Sequence, residues 1–181
     1  MKMDNIYDFY DLILNIDNKE DRMTLNLIKT ITKEEMDKIL TISSDTDGYC
    51  KILASQIGNR LNEYGIHHYW IDLEDLVKVD HTVLIAEYKT GNTIKRYLID
   101  PSFSQFNKRE SHYLLSLSQW PSEKIKDQGM VRDLLQEGIT LIDDVRWTDY
   151  LQAFTNQKIN VNLAECLLDN SLRYISSKNK K

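Results

Sequence analysis

Cysteine is scarce in this chain: Cys50 and Cys166 are the only two among 181 residues. Two do not make a disulfide framework, and without a CxxC pair or a Cys/His cluster there is no signal for structural zinc. Proline and glycine are also few, at two and six, so no Pro/Gly-rich linker divides the sequence, and no internal repeat does either. No apolar run is long enough to span a bilayer. The opening stretch MKMDNIYDFYDLILNID is interrupted by acids and does not read as a signal peptide. There is no basic excess: 23 Lys and Arg stand against 28 Asp and Glu, a formal −5. The only basic cluster is Lys178, Lys180 and Lys181 at the end. Nucleic-acid binding is therefore not expected as a main activity, because neutralising phosphates takes a dense basic face. These absences lead to the expectation of a soluble, reduced, cytoplasmic protein without a membrane partner, or of an effector delivered without a classical signal peptide.

A chain of this length suits one domain with a real core, expected over residues 1–177 with a tail at 178–181. The first 45 residues read as helical. Ile6, Phe9, Tyr10 and Ile13 recur at helical spacing, as do Met23, Leu27 and Ile31, and Thr32 with Glu35 has the pattern of a capping box ahead of Met36, Ile39 and Leu40. Ser43 to Gly48 is turn chemistry. Leu53, Ile57, Leu61 and Tyr64 then keep a 3.6-residue period up to Gly65, a C-terminal stop. Cys50 falls in the first turn of that helix, preceded by Asp45 and Asp47, which read as N-terminal capping residues.

Beyond Gly65 the period changes to that of strands: His68–Leu73, His81–Tyr88 and Thr93–Asp100. Farther on, a helix containing Met130, Leu134 and Leu135 ends at Gly138, residues 139–142 suit a short strand, and Val145–Phe154 and Leu163–Tyr174 suit two closing helices. Helices, a strand cluster and more helices define an α+β domain, with a central part at 46–155 and a closing helix in 156–177.

The hairpin between His81 and Asp100 supports a geometric argument. If Lys89–Asn92 forms the loop, His81 lies directly opposite Asp100. If only Gly91 and Asn92 form it, the two are diagonal neighbours on one face. Either register brings them within about 4.5–8 Å at Cβ, whereas a three-residue loop, with its odd register shift, would separate them. A His–Asp pair is the orienting half of a nucleophilic triad: the carboxylate fixes one imidazole nitrogen as a donor, and the other takes a proton from a thiol. Cys50 suits the role of that thiol. The first turn of a helix has free N–H groups and partial positive charge, which favour thiolate and can line an oxyanion hole.

The residues that carry this pattern also carry a resemblance. Gly48-Tyr49-Cys50 with Ala54, then Gly65-Ile66, then His81 opening a strand, then Tyr97-Leu98-Ile99-Asp100-Pro101-Ser102, resemble the transglutaminase-like core of the papain-like cysteine enzyme superfamily over residues 47–155. The longer string LIDPSFSQF, with Leu134, Leu135, Gly138 and Tyr150 to Phe154 downstream, is similar to bacterial papain-fold toxin and effector domains. Val83 stands where many members have tryptophan, and Ser102 where threonine is commoner. The resemblance implies a cysteine at a helix N-terminus packed on an antiparallel sheet with flanking helices. It implies thiol-based acyl transfer or amide hydrolysis on a glutamine or peptide amide of a protein substrate, with Cys50 as nucleophile, His81 as base and Asp100 as orienter. Tyr49 and Gln105 become candidates for substrate or oxyanion contacts. No cofactor or metal is implied, and the sequence shows no calcium loop.

Plainer roles account for the other reactive residues. Cys166 shares a face with Leu163, Leu167 and Leu168 and reads as packing. His67 and His68 begin a strand and suit surface or core positions, and His112 has no partner in its stretch. Trp70, Trp120 and Trp147 read as core or rim. Gln105 and Phe106 suit either a cleft wall or packing under a loop. A different class of function, a non-catalytic binding or immunity-type protein on the same fold, is compatible with the acidic composition.

Overall fold

The computed structural model describes residues 19–106 and 124–178. Ile6, Phe9, Tyr10, Ile13, His112 and Trp120 lie outside the described residues.

Helix α1 (Lys19–Leu40) is one uninterrupted element. Its buried side is formed by Ile28, Ile31 and Ile39 together with Thr32 and Glu35, while Met23 is exposed. The capping box expected at Thr32 and Glu35 is therefore not a helix start. Upstream isoleucines bury on the same face and carry the helix through. Glu35 does not bond back to the Thr32 backbone. Its carboxylate accepts from Lys38 at 2.7 Å and from Arg60 of the next helix at 3.1 Å, which compensates a nearly buried charge.

Helix α2 (Cys50–Glu63) buries Leu53, Ala54, Ile57 and Leu61 at the expected spacing. It ends as the sequence indicates. Gly65 takes φ 68°, its N–H donates to Asn62 O at 3.0 Å, and Ile66 N–H donates to Leu61 O at 2.9 Å, the paired bonds of a Schellman stop. The start differs from expectation. Tyr49 holds the N-cap position without a side-chain bond, and Asp45 Oδ1 instead accepts the N–H of Asp47 at 3.1 Å, a turn bond inside the loop. Neither aspartate caps α2, and no acid lies in its first turn.

Strand β1 (His67–Asp72) leads into a five-residue helix α3 (Leu73–Val77) that the sequence reading did not include. Asp72 caps it by accepting the Glu74 N–H at 3.1 Å. Strands β2 (Thr82–Thr90) and β3 (Thr93–Ile99) follow. Thr90 pairs with Thr93 and Leu84 with Ile99, so the loop is the two-residue one. Gly91 at φ 55° occupies the first central position, where this tight turn requires positive φ. Helix α4 (Gln128–Glu137), strand β4 (Ile139–Leu141), helix α5 (Asp144–Ala153) and helix α6 (Leu163–Lys178) complete the order. Helix α6 runs on past Tyr174 to Lys178, the first residue read from sequence as tail. Leu168, placed with Leu163 and Leu167, is exposed on it.

The four strands form one antiparallel sheet in the order β1-β2-β3-β4, so the α+β class holds. Helices cover both faces. Leu84, Ala86 and Ile99 pack with Ile28, Ile31, Leu53 and Ile57 of α1 and α2. Val83, Ile85 and Leu98 pack with Met130, Leu134, Trp147, Tyr150 and Leu163 of α4, α5 and α6. This explains why residues 82–86 are buried without alternation: a strand covered on both faces has no solvent side.

Candidate active site

The site forms at one end of this sheet, where β3 stops and β2 starts. Cys50 is the first residue of α2 and is nearly buried. As the first helical residue, its own N–H has no acceptor within the helix. Gly48, two residues earlier, has φ 76°, a left-handed turn that a side chain would strain. Thr46 Oγ1 donates to Pro101 O at 3.1 Å, pinning the loop before α2 to the end of β3. At that end the Asp100 N–H donates to Gly138 O at 2.7 Å.

His81 and Asp100 flank the strand ends and are both fully buried. Their register is the diagonal one, and His81 Nε2–H donates to Asp100 Oδ1 at 2.9 Å. The opposite ring nitrogen, Nδ1, is left to face the thiol side of the site. Hydrogen bonding from His81 and from the backbone N–H groups of Thr82 and Lys51 acts on the Cys50 thiol. Burial acts to raise the Cys50 thiol, but those bonds and the charge of His81 outweigh it and bring the thiol below its ordinary value. Burial likewise disfavours the His81 imidazolium. The Asp100 charge and hydrogen bond, with a further part from Cys50, overcome this and raise His81 to about 9. Both shifts move the pair toward thiolate and imidazolium, the reactive form of a cysteine nucleophile.

Asp100 has a second partner. Tyr150 O–H of α5 donates to its Oδ2 at 2.6 Å, so each carboxylate oxygen accepts one bond. Aromatic rings wall the His–Asp pair. Phe106 meets the His81 ring edge-on at 4.7 Å between centroids, Phe154 lies nearly parallel to it at 6.1 Å, and Tyr150 packs on Phe154 at 5.0 Å. Such walls keep the local dielectric low and strengthen the charge interactions inside.

Gln105, from the 3₁₀ turn Phe103–Phe106, lies beside the thiol side of the site. Its Nε2 is 3.4 Å from His81 Nδ1, and its Oε1 accepts the Gly48 N–H at 3.4 Å. Phe106 is both wall and packing. The Tyr49 side chain goes the other way and packs against the core between α1, α2 and the sheet. At the rim, Lys51 and Asp80, sequence neighbours of Cys50 and His81, form an exposed ion pair at 2.8 Å, worth little by itself.

The sequence reading thus brings Cys50, His81, Asp100 and Gln105 to one place. It missed Tyr150 and Phe154 as members, although both stand in the stretch quoted for the resemblance. A signal for Tyr150 existed. It shares a helix face with Trp147 and Phe154, and a tyrosine on a core face needs a partner for its hydroxyl. Cys166 is buried in the core, with Asn170 Nδ2 at 3.7 Å from its sulfur. His67 is exposed and packs edge-on to Tyr69, His68 lies against Gly58, Trp70 is partly exposed and Trp147 is buried.

A cavity of about 530 Å³ lies elsewhere, lined by Leu25, Ile94, Tyr97, Leu141 and Leu163 among others. It contains no triad residue, so the site is identified by side-chain chemistry and not by volume. Among the described residues no group of three or more His, Cys, Asp or Glu is placed to hold a metal ion, and no helix is long and apolar enough to cross a membrane. No family profile, curated protein or solved structure matches this chain.

Proposed function

We propose that this protein is a cysteine enzyme of the papain-like, transglutaminase-like class. Within that class the reading is an acyl-transfer enzyme acting on a glutamine or peptide amide of a protein substrate, as deamidase, transglutaminase or protease. One observation carries it: the fully buried His81–Asp100 bond of 2.9 Å, beside a Cys50 thiol that, against burial, the same imidazole helps hold below its ordinary value. The three residues lie on different elements and are of the types, and in the relation, that thiol acyl transfer requires.

In this reading the Cys50 thiolate attacks the amide carbonyl carbon. The N–H of Cys50, at the positive end of α2, stabilises the oxyanion. His81 gives its proton to the departing ammonia or amine, leaving a thioester on Cys50. Neutral His81 then takes a proton from water or from an incoming amine, which attacks the thioester and frees the sulfur. Asp100 holds the imidazole in orientation throughout. Water as acceptor gives hydrolysis, and an amine gives a conjugate. A bacterial effector acting on a host protein is the narrower form of this proposal, motivated by the LIDPSFSQF string.

The test is incubation with a mixed protein extract followed by peptide mass spectrometry for glutamine-to-glutamate conversion, amine conjugates and new chain ends. Wild-type protein is expected to produce one of these, and folded Cys50→Ala and His81→Ala to produce none. If Cys50→Ser keeps the full biological effect of the wild type, the fold serves binding instead.

A further inference from the structure

The two oxygens of Asp100 are used differently. Oδ1 accepts from His81, and Oδ2 accepts from Tyr150 at 2.6 Å. Asp100, His81 and Tyr150 are all fully buried. Tyr150 is held on three sides: Trp147 stacks on it at 5.7 Å, Phe103 lies at 6.0 Å and Phe154 at 5.0 Å. Its hydroxyl is therefore a rigid donor on a helix separate from the strands that supply the His–Asp pair.

We infer that Tyr150 is a positioning residue of this site, whose hydroxyl keeps Asp100 turned so that Oδ1 meets His81. A buried carboxylate that loses one of two donors is destabilised in its charged form and can rotate about its last torsion. Either change weakens the hold on the imidazole. The hydrogen bond of Tyr150 goes to Asp100 and not to Cys50 or His81, so its positioning role passes through Asp100. The titratable groups facing Asp100 are His81 from the start of β2, Tyr150 from α5 and, across the imidazole, Cys50 from α2. The inference rests on the proposed Cys50–His81–Asp100 chemistry, but its readout needs no substrate.

The experiment is acid titration of the Cys50 thiolate, followed by its ultraviolet absorbance as the difference between each protein and its Cys50→Ser counterpart. In wild type the thiolate signal is expected to disappear on acidification at a pH below that of an ordinary thiol. In Tyr150→Phe the carboxylate is free to turn and holds the imidazolium less firmly, so the acid limb is expected to move up by about one pH unit or more. Replacing Tyr150 with 3-fluorotyrosine preserves packing and strengthens donation, and the limb is expected to move down. The fluorinated protein also decides the matter if Tyr150→Phe does not fold. A folded variant whose acid limb coincides with that of wild type overturns the inference, even if its thermal stability falls, because loss of stability alone is what any core hydroxyl would show. A moved limb in a protein without acyl-transfer activity sustains the positioning role and removes the proposed function. Activity with an unmoved limb does the reverse.

Discussion

Replacing Asp100 with asparagine removes one charge and almost no volume. The asparagine oxygen can still accept the Nε2–H of His81, so the ring stays in place while its counter-charge is gone. Asp100 is the largest favourable cause of the rise of His81 from an ordinary 6.5 to about 9. That rise corresponds to on the order of 3 kcal/mol, or roughly 300-fold in favour of the imidazolium. Burial pushes in the opposite direction and persists in the variant. His81 is therefore expected to titrate at or below its ordinary value, and proton transfer from Cys50 to His81 to become unfavourable at neutral pH. The thiolate population at neutral pH should fall by on the order of 100-fold. Two measurements check this: thiolate absorbance against a Cys50→Ser reference, and iodoacetamide alkylation of Cys50 counted by peptide mass spectrometry with Cys166 as internal control. Alkylation of wild-type Cys50 should set in at lower pH than that of an ordinary thiol, and Asp100→Asn should follow the rising curve of an ordinary thiol. An unchanged neutral thiolate signal in folded Asp100→Asn would refute the assignment of Asp100 as the residue that charges His81.

Stability should carry the same signature. Because the folded-state value of His81 is raised above 6.5, its contribution is complete below 6.5 and is lost as pH rises through about 9. Urea midpoints across that interval should fall, and the fall should be smaller in His81→Gln. Cys166→Ala should cost about 1 kcal/mol through lost core packing and leave the Cys50 thiolate titration unmoved, as comparative denaturation and absorbance would show. Gly138→Ala should be far more damaging. Gly138 has φ 67°, and an added Cβ would meet the Pro101 Cα at 2.7 Å. A strained left-handed residue and a backbone clash together cost about 2–5 kcal/mol. Because Gly138 O also receives the Asp100 N–H, the thiolate titration should shift along with the denaturation midpoint. A variant as stable as wild type would count against the close approach.

The legible parts of this protein were those governed by local rules. The start of α2 at Cys50 and its stop at Gly65, the hairpin, and the helices around Met130–Leu135 and Val145–Phe154 follow from apolar period, glycine and turn chemistry. So does the His81–Asp100 pairing, because strand register converts sequence separation into proximity, and both plausible loop lengths kept the pair together. The errors share a cause. Thr32 and Glu35 have the local form of a helix start, yet the isoleucines before them continue onto the same buried face. Asp45 and Asp47 have capping chemistry, yet the loop folds them into a turn of its own. Met23 and Leu168 have the right residue type at a helical period, but each lies off the side that faces the sheet.

A contact between residues far apart in the chain, with no strand register to relate them, has no local trace. Arg60 meets Glu35 across two helices, and Tyr150 donates to Asp100 across fifty residues. Gln105 reaches both Gly48 and His81 from a turn beyond the end of β3. Residue type, spacing and strand pairing were enough to nominate a thiol, an imidazole and a carboxylate. Packing of the helices on both faces of the sheet determined their burial, which opposes the charged forms of Cys50 and His81 and is overcome by the hydrogen bonds and charges of their partners. It also supplied the second donor on Asp100, because burial and long-range partners are properties of the assembled core and not of any stretch of chain.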